Sequence, residues 1–316
     1  MTDQRRRLLW TTVLAVACAT LAQASGSQVT IRVEPNHVQV LVDGTLFTAL
    51  HSGDEANKLY LHPLLSASGK RVTRAYPMET VAGESTDHEH QRGVWIGSEA
   101  VSGIDFWESE RSYDRPNKGT VLLTDVTDVQ SGIGEGRFTL HASWNGPDGA
   151  TRIAETRTMR FRADTTQRII DIDLRLRAKR EVTFEDNHDA ILGLRLGTAF
   201  EEGHGGRAVN AEGMSGWERL RGARSAWVDW QADVDGERVG VAVMDHPTNF
   251  RFPTPWHVRD YALLFASPFA SHDYSPTAPD GSLTLKPGQD LTLRYRILVH
   301  GSGADIAAAF ASFAGR

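Results

Sequence analysis

The sequence is nearly without cysteine: Cys18 is the one thiol in 316 residues. It lies in a stretch that begins with Arg5-Arg6-Arg7, continues through the apolar run Leu8 to Leu21, and ends in Ala22-Gln23-Ala24. That order of basic start, short apolar body and small-residue end predicts a cleavable export signal over residues 1–24. After cleavage near Ala24 no thiol remains, which excludes disulfide staples and cysteine nucleophiles from residues 25–316. A periplasmic or secreted address is expected. The twin-arginine route and lipidation at Cys18 stay open beside ordinary cleavage. Membrane-length apolar runs are missing too. The run inside the signal is short of the ~20 residues a spanning helix needs, and no later run approaches that length.

An excess of positive charge is also lacking. The formal charge is −6, and loss of residues 1–24 removes three arginines and one aspartate, leaving about −8. A mildly acidic surface argues against nucleic acid or anionic lipid as a partner. Phosphate-binding loops, dinucleotide fingerprints, H-E-x-x-H helices, G-x-S-x-G elbows and C-x-x-C pairs are all absent, so nucleotide-driven, zincin and α/β-hydrolase chemistry drop out.

What is present is mostly strand. Ile170 to Ala178 alternates apolar with charged residues, and Phe138, Leu140, Ala142, Trp144 and Leu291, Leu293, Tyr295, Ile297 repeat the pattern. Short β-branched or aromatic runs at 28–33, 37–42, 120–130, 152–162, 190–198, 226–234, 237–245 and 261–266 are separated by turns such as Asp43-Gly44, Asp235-Gly236 and Pro287-Gly288. Many strands without intervening helices predict an all-β fold, a large antiparallel β-sandwich in one domain over 25–316. The one helix expected is C-terminal, at Ala304 to Phe313, with Ile306, Phe310 and Phe313 on one face. Two long connections, Tyr76 to Lys118 and Glu201 to Arg224, are of a size that is commonly functional.

Polar chemistry gathers in three islands. In Asp87-His88-Glu89-His90-Gln91-Arg92, an extended backbone would turn His88 and His90 to one side. They could then act as acid/base groups, as metal ligands, or as hydrogen-bonding struts of the loop. Asp87 and Arg92 are expected to pair. The second island holds His246, Asn249, Arg251, Trp256, His257 and Arg259, stiffened by prolines at 247, 253 and 255. Here His257 is the best proton-transfer candidate and His246 a turn residue. The third, Glu185-Asp186-Asn187-His188-Asp189, offers carboxylates that could pair with a histidine acid, or else a simple turn, with Asp189 a candidate catalytic residue. His62, Arg74 and Trp107 complete the candidate cleft.

Several of these motifs resemble PmoA-like proteins, bacterial and often exported. They are His62-Pro63-Leu64-Leu65, Val72-Thr73-Arg74 with Tyr76-Pro77-Met78, Asp87-His88 with His90 and Arg92-Gly93, Asp105-Phe106-Trp107, and Trp256-His257-Val258-Arg259. Gln91, Asn187 to Ala190, Ala262 and Ala270 depart from that pattern. The resemblance implies a sandwich of the galactose mutarotase-like kind. It implies no methane chemistry, since the membrane protein sharing that label has several spanning helices.

The expectation is therefore an exported protein that binds and processes a carbohydrate by lyase, hydrolase or epimerase chemistry. His90 and His257, with His88 and Asp189, would move protons. Trp107 and Trp256 would stack on the sugar, and Arg74, Arg92 and Arg259, with His62, Asn249 and Arg251, would hold its oxygens. No cofactor is expected. The alternatives are a non-catalytic glycan-binding module and a metal oxidoreductase with its ion at His88/His90.

Overall fold

The structure, a computed structural model, describes residues 26–52 and 56–316. The export signal and Cys18 lie outside the described residues. Two large sheets, antiparallel throughout, form a sandwich. The nine-stranded sheet runs, edge to edge, Trp256–Arg259, Leu263–Ala266, Ala190–Arg195, Val94–Ser98, Tyr60–Leu61, Thr45–His51, His37–Val42, Gln28–Glu34 and Gly132–Ile133. The eight-stranded sheet runs Arg207–Asn210, Trp227–Val234, Glu237–Asp245, Asp290–Gly301, Gln167–Ala178, Thr151–Ala163, Glu135–Asn145 and Thr120–Gln130.

Alternation explains the eight-stranded sheet directly. Ile170, Ile172, Leu174 and Leu176 point into the core, where they meet Phe138, Leu140, Trp144, Leu293, Tyr295 and Ile297. The intervening Asp171 and Asp173 point outward and pair with Arg296 and Arg294 of the neighbouring strand at 2.6 and 2.9 Å. Opposite charges on adjacent strands thus satisfy the face the core does not need. The C-terminal helix, Ile306–Ala314, starts at Asp305, whose carboxylate accepts from the Ala308 amide at 2.9 Å. Its Ile306 and Phe313 pack on Ala242, Met244 and Leu298, outside that sheet. A one-turn helix at Trp217–Leu220, not anticipated from sequence, lies in the second long connection. Among the described residues no helix is long and apolar enough to cross a membrane.

The first long connection is not all loop. Val94–Ser98 is an inner strand of the nine-stranded sheet with all five residues buried. Val94 and Ile96 face the core between the sheets. Trp95 faces the other way, into a second apolar cluster with Tyr60, Trp107, Leu263 and Phe265. Strands covered on both faces lose the polar alternation that marks a half-exposed one. This double burial positions the site, because the outer face of the nine-stranded sheet carries the aromatic floor together with His257, Arg259 and Arg195.

Candidate functional site

Strand register fixes a row of side chains across that outer face. His257 pairs with Phe265, Phe265 with Gly193, Gly193 with Trp95, and Trp95 with Tyr60. Two residues further along their strands, Arg259, Leu263 and Arg195 form a second row on the same face. Gly193 is required by the floor: a Cβ there would lie 2.6 Å from the Trp95 ring and 2.9 Å from Trp107.

The 76–118 segment is bolted over this floor by buried cations. Lys58 Nζ donates to the carbonyls of His90, at 2.8 Å, and of Trp107, and lies 3.6 Å from Glu110. Burial pushes its ammonium down to about 8. Arg74 donates to the Asp87 carboxylate at 2.7 Å and to the carbonyls of Asp87 and His88, both at 2.9 Å. Arg195 donates to Gln91 Oε1 at 2.6 Å and to Asp87 at 3.3 Å. The expected Asp87–Arg92 pair is thus replaced. Asp87 answers Arg74 and Arg195, while Arg92 makes a two-pronged contact with buried Glu110 at 2.9 to 3.1 Å.

His88 and His90 do not share an extended segment. His88 has a φ of 43°, so the chain turns there, and the rings meet edge-on with centroids 5.7 Å apart. His88 is 41% exposed and stacks on Tyr261. His90 is buried, its Nδ1 3.2 Å from the Tyr113 hydroxyl and its Nε2 3.8 Å from Glu108. Burial first, then the charge of Lys58, lowers its pKa to about 2. His257 is likewise buried, between Phe265 and His188, with Nδ1 3.0 Å from the Tyr274 hydroxyl. Its pKa is also lowered to about 2, by burial and then by His188. Burial thus favours the neutral imidazole, with a single N–H, at both positions.

Asp189 stands between these two histidine stations. Its side chain is 21% exposed and lies 4.0 Å from His188, whose ring stacks on His257 at 4.5 Å. The Glu99 carboxyl, which Asn187 holds by a 2.9 Å bond, lies close enough to act on Asp189. A carboxylate near a second one is disfavoured in its charged form. Burial, reinforced by Glu99, Glu108 and Asp105, raises Asp189 to about 8. Glu108, 23% exposed, completes the group and pairs with Arg115.

Several expected contacts are corrected by burial. Trp107 belongs to the aromatic floor, and Trp256 to the inter-sheet core with its indole N–H on the Ser225 carbonyl at 2.9 Å. Neither ring has a face open for a sugar. Arg251 donates to the carbonyls of Pro268, Gly281 and Ser282, and Asn249 bonds Asp245 and the Arg294 backbone. Buried His62 lies 3.3 Å from Glu79, and burial lowers it to about 4. These residues, with Arg74 and Arg92, hold loops in place. His88, Asp189 and Arg259 remain where a ligand could reach them. Sequence reasoning missed Glu99, Glu108, Tyr113, Tyr261 and Tyr274, which carry no local motif, and undervalued His188. A separate hollow of about 540 Å³, bordered by Arg71, Thr73, Glu84 and Phe200, contains none of the imidazoles. Among the described residues no three His, Cys, Asp or Glu side chains are grouped to hold a metal ion.

A family model matches residues 37–314, nearly the whole described chain, and its description is a family of unknown function, DUF6807. The chain belongs to DUF6807. This overturns the PmoA-like assignment suggested by the motifs, since nothing places the chain in that family. No curated protein matches this DUF6807 chain. Solved structures resemble it at low identity. A galactose mutarotase-like protein from Lactobacillus casei ATCC 334 is 10% identical with a TM-score of 0.38, over 86% of this chain and 100% of the other. One from Clostridium acetobutylicum is 7% identical with a TM-score of 0.39, over 88% and 100%. The alpha-galactosidase from Lactobacillus brevis is 10% identical with a TM-score of 0.43, over 87% of this chain but only 40% of that enzyme.

Proposed function

We propose that the outer groove of the nine-stranded sheet binds a carbohydrate and processes it by proton transfer, with Asp189 as the general acid. The observation that carries this reading is the setting of Asp189: a carboxyl beside the His188–His257 stack, 21% exposed, which burial and then the neighbouring Glu99 and Glu108 push up to about 8. A protonated carboxyl can donate to a glycosidic or ring oxygen, and the Glu108 carboxylate beside it can receive a proton or steady developing positive charge. His90 and His257 assist as neutral hydrogen-bonding groups, because a proton on either opposes its burial. The groove's polar rim of His88, Tyr113 and Tyr261 supplies hydroxyl and imidazole partners suited to sugar hydroxyls. The exported address expected from residues 1–24 belongs to the same reading.

A panel of oligosaccharides incubated with the wild-type chain and with Asp189→Asn, with products followed by mass spectrometry, tests the proposal. Turnover by the wild type that Asp189→Asn abolishes, with binding retained, supports it. Binding with no product from any sugar would leave a glycan-binding module instead, and turnover undiminished in Asp189→Asn would remove Asp189 from its role.

A further inference from the structure

Arginines elsewhere on this face are consumed by partners, as Arg74, Arg92 and Arg195 illustrate. Two are not. Arg259 lies over the rings of Tyr261 and Trp217, 5.2 and 5.6 Å from their centroids. Its Nε is buried without a hydrogen-bond partner. Arg221, exposed at the end of the Trp217–Leu220 turn, lies 5.8 Å from the Tyr274 centroid. Neither guanidinium has a carboxylate within ion-pair distance among the described residues. Carboxylates nearby are otherwise engaged: Asp273 with His188 at 2.6 Å, Glu201 with His204 at 3.4 Å, and Glu202 with the Trp217 amide at 2.8 Å. Asp260 is exposed, and its carbonyl accepts from the Glu202 amide.

These two cations flank His257 on the outer face of the nine-stranded sheet. Both act on His257 through space, and Arg259 sits two residues along the same strand face from it, about 7 Å away. The Trp217–Leu220 turn packs on that strand and so brings Arg221 alongside. Beyond the His257–His188 stack lie the carboxyl groups of Asp189, Glu99 and Glu108. Arg221 and Arg259 thus stand beside the His257–His188 stack without an ion-pair partner among the described residues, and Arg221, Asp273 and Asp189 all act on the Tyr274 phenol. Guanidinium groups seated on aromatic faces lose little freedom when they bind, and their planar forks match a carboxylate.

We infer that Arg221 and Arg259 form an anion-binding subsite, and that the sugar entering this groove is acidic, a uronate whose carboxylate docks on them while a neighbouring ring faces Asp189. The inference rests on the proposed carbohydrate reading and narrows it to a substrate class. The carboxyl cluster disfavours the reverse orientation, because an anion there would meet three acids.

The probes are oligogalacturonates, the same oligomers fully methyl-esterified, and cello-oligosaccharides. Calorimetry would be run on the wild-type chain, Arg259→Lys and the double variant Arg221→Gln/Arg259→Gln, with thermal midpoints as the check on folding. The acid oligomer is expected to bind about tenfold or more tighter than its ester, a preference that weakens with salt. The double variant should lose that preference, and Arg259→Lys should fall between. Equal binding of acid and ester overturns the subsite while leaving the carbohydrate reading intact. A preference that survives in a folded double variant overturns the assignment to these two residues. Failure of the wild type to bind any of the three sugars removes the carbohydrate reading and the subsite with it.

Discussion

The imidazole of His257 lies parallel to the ring of Phe265, with 3° between the planes and 4.4 Å between centroids. His188 covers its other face at 4.5 Å and 6°. A histidine inside a three-ring stack is held as an uncharged aromatic plate. That explains why the strongest sequence candidate for proton transfer has its pKa driven down, and why the groove's proton resides on a carboxyl instead.

Acid should therefore unfold this protein early. His62, His90 and His257 are lowered to about 4, 2 and 2. A histidine depressed in the folded state favours folding fully above its unfolded value of about 6.5 and progressively less as the pH falls below that value. By pH 5 each of His90 and His257 costs about 2 kcal/mol relative to pH 8. Urea midpoints measured from pH 6.5 to 5 should fall, and His62→Gln should remove part of the slope. A flat profile would contradict the buried, neutral assignment.

Gly193→Ala is expected to destabilise by about 1–3 kcal/mol, the usual cost of overpacking. The added methyl meets the rings of Trp95 and Trp107, which are themselves packed against Tyr60, Leu263 and Phe265. Near-ultraviolet circular dichroism reports the tryptophan environment and should change. An unchanged spectrum with unchanged stability would mean that the floor is looser than its contacts imply.

Legibility in the sequence followed exposure. Ile170 to Ala178 announced its strand because one face meets charge and the other core, and the C-terminal helix announced itself by Ile306 and Phe313. Val94–Ser98 was hidden inside a presumed connection because burial on both faces erases alternation. The same logic governs the site. Arg92 and Arg74 look identical to Arg259 in the sequence, and only packing reveals that buried Glu110 and the Asp87 loop occupy the first two. Glu99 and Asp189 are far apart in the chain, so their proximity has no local motif at all.

His300 works in the opposite direction to the groove histidines. Burial opposes its charge, but the Asp229 carboxylate at 2.9 Å and the Gly301 carbonyl at 2.8 Å outweigh it and raise its pKa. A raised imidazole contributes stability in full below its unfolded value and loses it as the pH rises through the folded value. Thermal midpoints should therefore decline on the alkaline side of neutrality, and Asp229→Asn should lower the midpoint near pH 6 while flattening that decline. An alkaline decline identical in the variant would assign the effect to other groups.

Asp189→Asn should make the protein more stable at neutral pH. A carboxyl raised to about 8 folds most favourably when protonated, so its contribution is complete below the unfolded carboxylate value and erodes as the pH climbs towards 8. An amide cannot ionise. It keeps a donor for Glu99 at every pH and removes the repulsion from Glu108 and Asp105. The thermal midpoint of Asp189→Asn should exceed that of the wild type at pH 7 to 8, with the gap closing towards pH 4. A group retained at a cost in stability is characteristic of a working site, since a purely structural position would have been free to settle on the amide. If the variant is less stable than the wild type at pH 7.5, the carboxyl is ionised and well paired in the folded protein, and its role as a proton donor is lost.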